Sequence, residues 1–267
     1  MNIINFPNPK INLPKEIRDL TDERNVSCFK NLDNYVKLIA RYIYTDINLD
    51  YRPTDQNFIH AWIQKIVSAN LLRSLYLRNA FVDAFNNRNM VGLFLPLKAW
   101  LEIVGSLASI LDLLEKKLSQ KELVEEFKPY ALGNKGKGTL RVGTVDAKNV
   151  ATMIEKADKY MNKMYKETGK DLASAKSNAF FTDFYDVVSN PSHPSIDAHD
   201  IVGEIIEEKS IWKGKEPAEV KDMIVTDLLY YQPILVMTPV CIQNICQKIL
   251  VLEKDHFAKL KSNKFFD

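Results

Sequence analysis

Apolar residues return at helical spacing along most of the chain, and the longest unbroken run lies near its centre. Here an apolar residue follows at alternating steps of four and three, as in Leu93, Leu97, Trp100, Val104, Leu107, Leu111, Leu114 and Leu118. This spacing is typical of the buried face of a long helix in a bundle. We expect another helix to approach closely where small residues lie beside this face, at Ala99, Gly105, Ser106, Ala108 and Ser109.

The same spacing predicts further helices on both sides of this run. They cover about residues 27–45, 54–87, 146–167 and 172–189, with a short polar helix over 196–208 and a turn at 213–215. Pro217 favours the start of a long last helix. Pro233 and Pro239 lie inside that helix and predict one or two kinks.

The first 26 residues differ from the rest of the chain. They contain Pro7, Pro9 and Pro14 and lack a sustained helical period. We expect an extended arm over residues 1–26 that lies on the surface of the domain or of a partner subunit. The predicted fold is therefore all-α: a single antiparallel helical-bundle domain over residues 27–267 with long helices, an extended N-terminal arm and a kinked long C-terminal helix.

Composition narrows the function classes. Only 9 of the 267 residues are glycine, which argues against glycine-rich cofactor loops, so we expect no cofactor. A formal net charge of +2 excludes a strongly basic surface overall. Local positive charge is concentrated over 133–143, where Lys135, Lys137 and Arg141 lie among glycines in an order that does not match a phosphate-binding loop. We regard this segment as a mobile basic loop and as a candidate nucleic-acid-binding site.

The sequence pattern indicates neither export nor a membrane span. The N-terminus lacks a basic segment followed by an apolar one, and charged or amide side chains interrupt both of the most apolar stretches. The three cysteines lack metal-binding spacing, and Cys241 and Cys246 lie in an apolar run. We expect a cytoplasmic protein in which these two thiols are buried as small hydrophobes.

A polar turn follows the helix predicted over 172–189. Candidate side chains in or next to this turn are Ser189, Ser192, His193, Ser195, Asp197, His199 and Asp200. In the interpretation that we favour, a serine caps the next helix and His193 bonds into the bundle. A metal site built from the histidines and aspartates matches no standard ligand spacing, so none is predicted. Nucleophilic catalysis by Ser189 or Ser192 with His193 would need a third group and an oxyanion hole, which the sequence does not indicate.

A second polar feature interrupts the central helix. Lys98 and Glu102 lie one turn apart beside its apolar face, where both side chains are expected to be partly buried. A lysine four residues before a glutamate is the weaker orientation for an ion pair within one helix. We therefore expect Glu102 to reach across to another helix, with Ser189 and His193 as the candidate partners.

Together these two features resemble a helical family. The motif Leu97-Lys98-Ala99-Trp100-Leu101-Glu102 and the later Tyr185-x-x-x-Ser189-x-x-x-His193-Pro194 are similar to motifs of uncharacterised bacterial HEPN-like proteins. The resemblance covers residues 60–200 or so. It implies an antiparallel helical bundle that is frequently dimeric and often encoded in defence or toxin–antitoxin contexts.

The chain departs from the ribonuclease pattern of that family. Active HEPN ribonucleases carry an arginine four to six residues before an acid–base histidine, whereas valine, valine and serine occupy 187–189 before His193. We therefore favour a non-catalytic or regulatory module that binds a partner macromolecule, as a homodimer or with another protein. Two alternatives stay open. One is a metal-independent endoribonuclease centred on His193, with Ser189, Glu102 and Lys98 as further candidates, and the other is a nucleic-acid-binding protein that uses the basic loop.

Overall fold

The fold is described by a computed structural model. It describes residues 6–12, 32, 34–37, 39, 42–44, 47, 56–116, 118–131, 148–167, 178–190, 203–206, 211–215 and 232–254. Within them the helices are α1 (Gln56–Asn86), α2 (Met90–Glu115), α3 (Gln120–Ala131), α4 (Val150–Glu167), α5 (Phe180–Ser189) and α6 (Gln232–Lys254), and the strands are β1 (Gly203–Ile206) and β2 (Ile211–Gly214). Residues 32, 34–37 and 39 are also helical. The predicted all-α bundle is confirmed.

α2 is the central helix of the bundle. It packs against α1, α3, α4 and α5, and α4 also packs against α5. The predicted apolar face of α2 is confirmed, because each of its residues from Leu93 to Leu114 is buried. The last residue of the pattern, Leu118, follows the end of the helix and is half-buried. Burial of one such side chain contributes about 1.5–3 kcal/mol, so this face is a main source of stability.

α1 and α2 form an antiparallel helical hairpin. Arg88 in the turn adopts a left-handed conformation with φ 53°, and Asn89 caps α2 through its side chain. Deeper in the hairpin, the Trp100 indole N–H donates to the Ser74 carbonyl oxygen at 3.0 Å. The Ser74 hydroxyl also lies 2.8 Å from the Tyr35 hydroxyl. These buried hydrogen bonds fix the register of the two helices and attach the helical residues before α1 to them.

The backbones of α2 and α4 approach closely at Gly105. A Cβ atom placed on Gly105 would lie 2.9 Å from the Met153 carbonyl carbon and 3.0 Å from the Ile154 nitrogen. Real Cβ atoms almost never come this close to another atom, and a backbone cannot rotate away as a flexible side chain can. The expected approach of a second helix beside the small residues is therefore confirmed, and glycine is required at the contact.

Gly105→Ala should destabilise the fold although alanine is the better helix former. The added methyl group must push α4 away, and such overpacking costs about 1–3 kcal/mol, which exceeds the gain of about 1 kcal/mol in helix propensity. Urea unfolding followed by circular dichroism measures the change. Ser106→Ala, one residue away on the half-buried side of α2, should unfold close to the wild-type midpoint. A Gly105→Ala variant as stable as wild type would show that α4 yields at this contact.

The helix predicted over 196–208 is wrong in its described part. Residues 203–206 form β1, which pairs antiparallel with β2 from Gly203 opposite Gly214 to Ile206 opposite Ile211. The predicted turn at 213–215 is also wrong, since Lys213 and Gly214 belong to β2. β-branched residues on both sides of the ladder favour the pairing. A single-segment pattern could not reveal it, because the stabilising partner lies in another segment.

α3 begins with a signature that the helical spacing does not reveal. The Ser119 backbone N–H donates to the Glu122 carboxylate at 2.8 Å, and the Glu122 N–H donates to Ser119 Oγ at 3.4 Å. This reciprocal pair is a capping box, which satisfies backbone N–H groups at the start of a helix. Its hydrogen bonds also lower the pKa of the Glu122 carboxyl. A search for Ser-x-x-Glu would have predicted this helix.

α6 packs its buried thiols and its C-terminal turn into the bundle. Cys241 and Cys246 are both fully buried, as expected, and Cys28 lies outside the described residues. In the last turn of α6, the buried Glu253 carboxylate contacts His60 Nδ1 near the start of α1. Pro239 lies inside α6, and the predicted start at Pro217 lies outside the described residues. The predicted kinks stay a prediction.

Two described helices pass a membrane-span test by length and composition. α2 and α6 are long and apolar enough to cross a membrane, and 61% and 50% of their most apolar windows are buried inside the protein. Core helices of bundles pass the same test, so the finding is weak evidence for a membrane span.

Candidate functional site

Three helices bring polar side chains together on one side of the bundle. The Tyr185 hydroxyl of α5 donates a long hydrogen bond of 3.4 Å to Glu102 Oε1 of α2. Arg73 of α1 places Nη2 3.8 Å from Glu102 Oε2. Lys98 Nζ lies 5.8 Å from the centre of the Tyr185 ring, within range of a cation–π contact. We call Arg73, Lys98, Glu102, Tyr185 and Ser189 the Glu102 cluster.

A buried carboxylate positions the helix that carries Tyr185. Asp158 of α4 accepts hydrogen bonds from the Phe181 N–H at 2.6 Å, the Thr182 N–H at 3.1 Å and the Thr182 hydroxyl at 2.7 Å. The N-cap residue Ala179 makes no side-chain cap of its own. Asp158 therefore performs this role from a neighbouring helix, as a local N-cap side chain would. Burial raises the pKa of the Asp158 carboxyl, and these hydrogen bonds oppose that shift.

Asp158→Asn should loosen α5 from α4. The amide nitrogen cannot accept, so at least one buried donor loses its partner, at a cost of about 1–3 kcal/mol. The expected result is a lower urea midpoint and faster hydrogen exchange in α5. Asp183→Asn is the matched control, because Asp183 is exposed in the first turn of the same helix, where its charge contributes less than about 1 kcal/mol. Equal effects of the two changes would contradict the assigned role of Asp158.

The electrostatics of the Glu102 cluster favour a protonated phenol. Burial raises the pKa of Tyr185, and the negative charge of Glu102 raises it further, while a hydrogen bond with Ser189 opposes the shift. Tyr185 therefore acts as a hydrogen-bond donor at neutral pH and not as a base. The Arg73 side chain is 53% exposed and that of Glu102 is 26% exposed. Ion pairs with this much solvent access contribute little to stability.

The structure brings together some of the residues expected from the sequence. Glu102 does reach another helix, but it contacts Tyr185, one turn before the expected Ser189. Ser189 interacts with Tyr185 in turn. His193 lies outside the described residues, as do the other residues of the polar turn and the basic-loop residues Lys135, Lys137 and Arg141. Their candidate roles stay predictions.

Arg73 is the residue of the cluster that sequence reasoning missed. A search for an arginine a few residues before a histidine examines neighbours along the chain, and Arg73 comes from a different helix. The α1–α2 hairpin supplies the missing signal. Arg73 and Glu102 lie at nearly equal separations from the turn residue Arg88, so an antiparallel pair must place them side by side.

The described residues show no metal centre. No group of three or more histidine, cysteine, aspartate or glutamate side chains among them is placed to hold a metal ion. The thiols are also unsuited to this role, because burial raises the pKa of Cys241 to about 12 and raises that of Cys246 as well. Neither is a thiolate at neutral pH.

Exposed apolar side chains lie on α1 and α2, the two helices that carry Arg73, Lys98 and Glu102 of the cluster. Val91 and Leu95 are 47% and 59% exposed, and they precede Lys98 on the same face of α2. On α1, Tyr76 is 62% exposed and lies one turn after Arg73. We call Arg73, Tyr76, Val91, Leu95 and Lys98 the α1–α2 surface. Large apolar side chains next to an arginine and a tyrosine are typical of binding surfaces.

A separate cavity lies at the other end of α2. It has a volume of about 360 Å³ and is bordered by Glu115, Lys163, Glu167, Gln247, Lys248, Val251 and Leu252. Its charged side chains already pair with each other, with Lys163 Nζ 2.9 Å from Glu115 and Lys248 Nζ 3.3 Å from Glu167. Because these charges satisfy each other across helices, the cavity offers fewer groups to a ligand than the α1–α2 surface.

The chain matches no protein-family model, and no curated protein or solved structure is significantly similar to it. The functional proposal therefore depends on the geometry of the Glu102 cluster and of the surface beside it.

Proposed function

We propose that the chain is a HEPN-like helical module that binds a partner protein through the α1–α2 surface. Its role in the cell would be non-catalytic or regulatory, in a bacterial defence, toxin–antitoxin or stress pathway in the cytoplasm. One observation carries the proposal: Glu102 is contacted by Arg73 and Tyr185, while the apolar side chains of Tyr76, Val91 and Leu95 on the same two helices are exposed. The arrangement is suited to recognition.

Two properties of the cluster argue against a catalytic role for its described residues. The Glu102 carboxylate already has Tyr185 at 3.4 Å and Arg73 at 3.8 Å, so a substrate would have to compete with both groups. Tyr185 holds its proton at neutral pH, because burial and Glu102 both raise its pKa. A general base needs a pKa near the working pH, and this shift moves the pKa of Tyr185 further away from it.

The chemistry of the surface favours a protein over a nucleic acid. A phosphate-binding surface presents a large excess of cations, whereas this surface has only Arg73 and Lys98, with the carboxylate of Glu102 beside Arg73. Tyr76, Val91 and Leu95 offer apolar area that a nucleic-acid backbone cannot use. Protein interfaces have the opposite preference, since tyrosine and arginine anchors next to apolar residues supply most of their binding energy.

Leu95→Glu should abolish partner binding without unfolding the bundle. A charge at an interface must be desolvated, which reduces affinity by at least about tenfold. Val251→Glu is a matched control, because Val251 is 59% exposed like Leu95 but lies on α6 beside the separate cavity. We expect affinity-tagged wild type and Val251→Glu to recover the same partner from native cells by quantitative mass spectrometry, and Leu95→Glu to lose it. Loss with Val251→Glu alone would place the interface on α6.

The ribonuclease alternative predicts a different outcome. Purified wild type, His193→Ala and Glu102→Gln should all leave labelled RNA intact if the chain is a binding module. Cleavage by wild type that is lost in His193→Ala would overturn the proposal.

A binding experiment tests the basic loop. RNA binding that weakens steeply with salt and is lost in Lys135→Ala/Lys137→Ala/Arg141→Ala would support the nucleic-acid-binding alternative instead.

A further inference from the structure

Residues 6–12 lie along α1 and are neither helical nor extended in a sheet. Asn79 Nδ2 donates to the Pro7 carbonyl oxygen at 2.9 Å. About two helical turns later, Asn86 Nδ2 donates to the Lys10 carbonyl oxygen at 2.8 Å. Asn86 Oδ1 accepts from the Asn12 backbone N–H, also at 2.8 Å. The arm thus runs parallel to α1, held by two amide side chains. We call residues 6–12 the strap.

The spacing of the two amides matches the backbone of the strap. Asn79 and Asn86 are seven residues apart, which corresponds to about 10.5 Å along a helix. Pro7 and Lys10 are three residues apart, which corresponds to about 9–10 Å in an extended or polyproline chain. The agreement allows one extended segment to meet both amides at once. Because Pro7 and Pro9 restrict the backbone beforehand, little conformational entropy is lost when the strap binds.

The two ends of the strap contact the bundle through apolar side chains. Phe6 is buried to 9% exposure, and its ring packs edge-to-face on Tyr76 with centroids 4.8 Å apart. Ile11 packs against the core from the other end. Between them Asn79 and Asn86 bond to backbone atoms of the strap. The site on α1 therefore accepts an extended segment with an aromatic residue first and an aliphatic residue five positions later.

We propose that this face of α1 is a peptide-binding site and that the strap of a second copy of the chain occupies it in a dimer. Exchange of an identical segment makes the contacts between the strap and α1 again, because the second copy has the same sequence. The bonds that must break first are solvent-exposed. Phe6 is the buried anchor of the strap, so the strap can leave α1 at a cost set mainly by exposing this one side chain while the bundle stays folded. The proposal does not depend on the partner of the α1–α2 surface.

Two full-length variants separate the strap from its site. Phe6→Ala weakens the binding of the strap to α1 and leaves the site on α1 intact. Asn79→Asp/Asn86→Asp removes both amide donors and leaves the strap intact, while Asn79→Asp keeps the acceptor that binds Arg78 Nη1 at 3.0 Å. Asn70→Asp/Asn87→Asp is the matched control, because these two amides donate to carbonyl groups within α1.

The mixing experiment tests occupation by a second copy. Tagged Phe6→Ala should capture untagged Asn79→Asp/Asn86→Asp, since one supplies the site and the other the strap. Tagged Asn79→Asp/Asn86→Asp should capture at least about tenfold less of its own untagged form, because two lost hydrogen bonds correspond to a factor of that order. Tagged Asn70→Asp/Asn87→Asp should capture its own untagged form as wild type does. Equal capture in all combinations, or none in any, would overturn the proposal.

A peptide experiment tests the site itself. A fluorescent peptide of residues 1–13 is titrated with the full-length Phe6→Ala variant and followed by polarisation. We expect saturable binding that weakens at least about tenfold when Asn79→Asp/Asn86→Asp is added to the receptor or Phe6→Ala to the peptide. Unchanged binding with either substitution, or no binding up to millimolar concentration, would show that α1 has no such site.

Discussion

The contact between α2 and α4 at Gly105 is the constraint on which the rest of the structure depends. Because the α4 backbone fits against Gly105 with no room for a Cβ atom, α4 has one register along α2. That register places Asp158, whose carboxylate holds the first turn of α5. α5 then carries Tyr185 to Glu102. The Glu102 cluster is thus assembled by three successive helix contacts, none of which is local in sequence.

The same constraint determines which groups meet around Glu102. Glu102 is only 26% exposed, and a partly buried carboxylate requires polar partners nearby. Glu102 meets this requirement with Tyr185 and Arg73. The result raises the pKa of Tyr185, which stabilises its proton and makes it a poor base. The apolar residues Val91 and Leu95, on the same helix as Glu102, still have exposed area to bury.

How much of this could be predicted depends on whether a signal lies within one segment. The apolar face of α2 and the burial of Cys241 follow from local periodicity, and both are confirmed. The close approach of α4 at Gly105 is also confirmed, since small residues mark it in the sequence. Arg73 was missed because its partner lies on another helix and becomes visible only once the α1–α2 hairpin is drawn. The β1–β2 pair was missed, with β1 predicted as part of a helix and Lys213 and Gly214 of β2 as part of a turn, because a strand is stabilised by a partner in another segment.

α1 links the two proposed interactions through adjacent residues. Tyr76 packs against Phe6 of the strap, and Arg73, one turn earlier, pairs with Glu102. Tyr76 is 62% exposed with the strap in place, so departure of Phe6 would uncover still more of its ring beside the α1–α2 surface. A partner that uses this ring would bind the open form more tightly than the closed one. By linkage, the same partner must then favour release of the strap to the same extent. Partner binding and strap binding therefore compete wherever Tyr76 is part of the interface, whether the strap comes from the same chain or from a second copy.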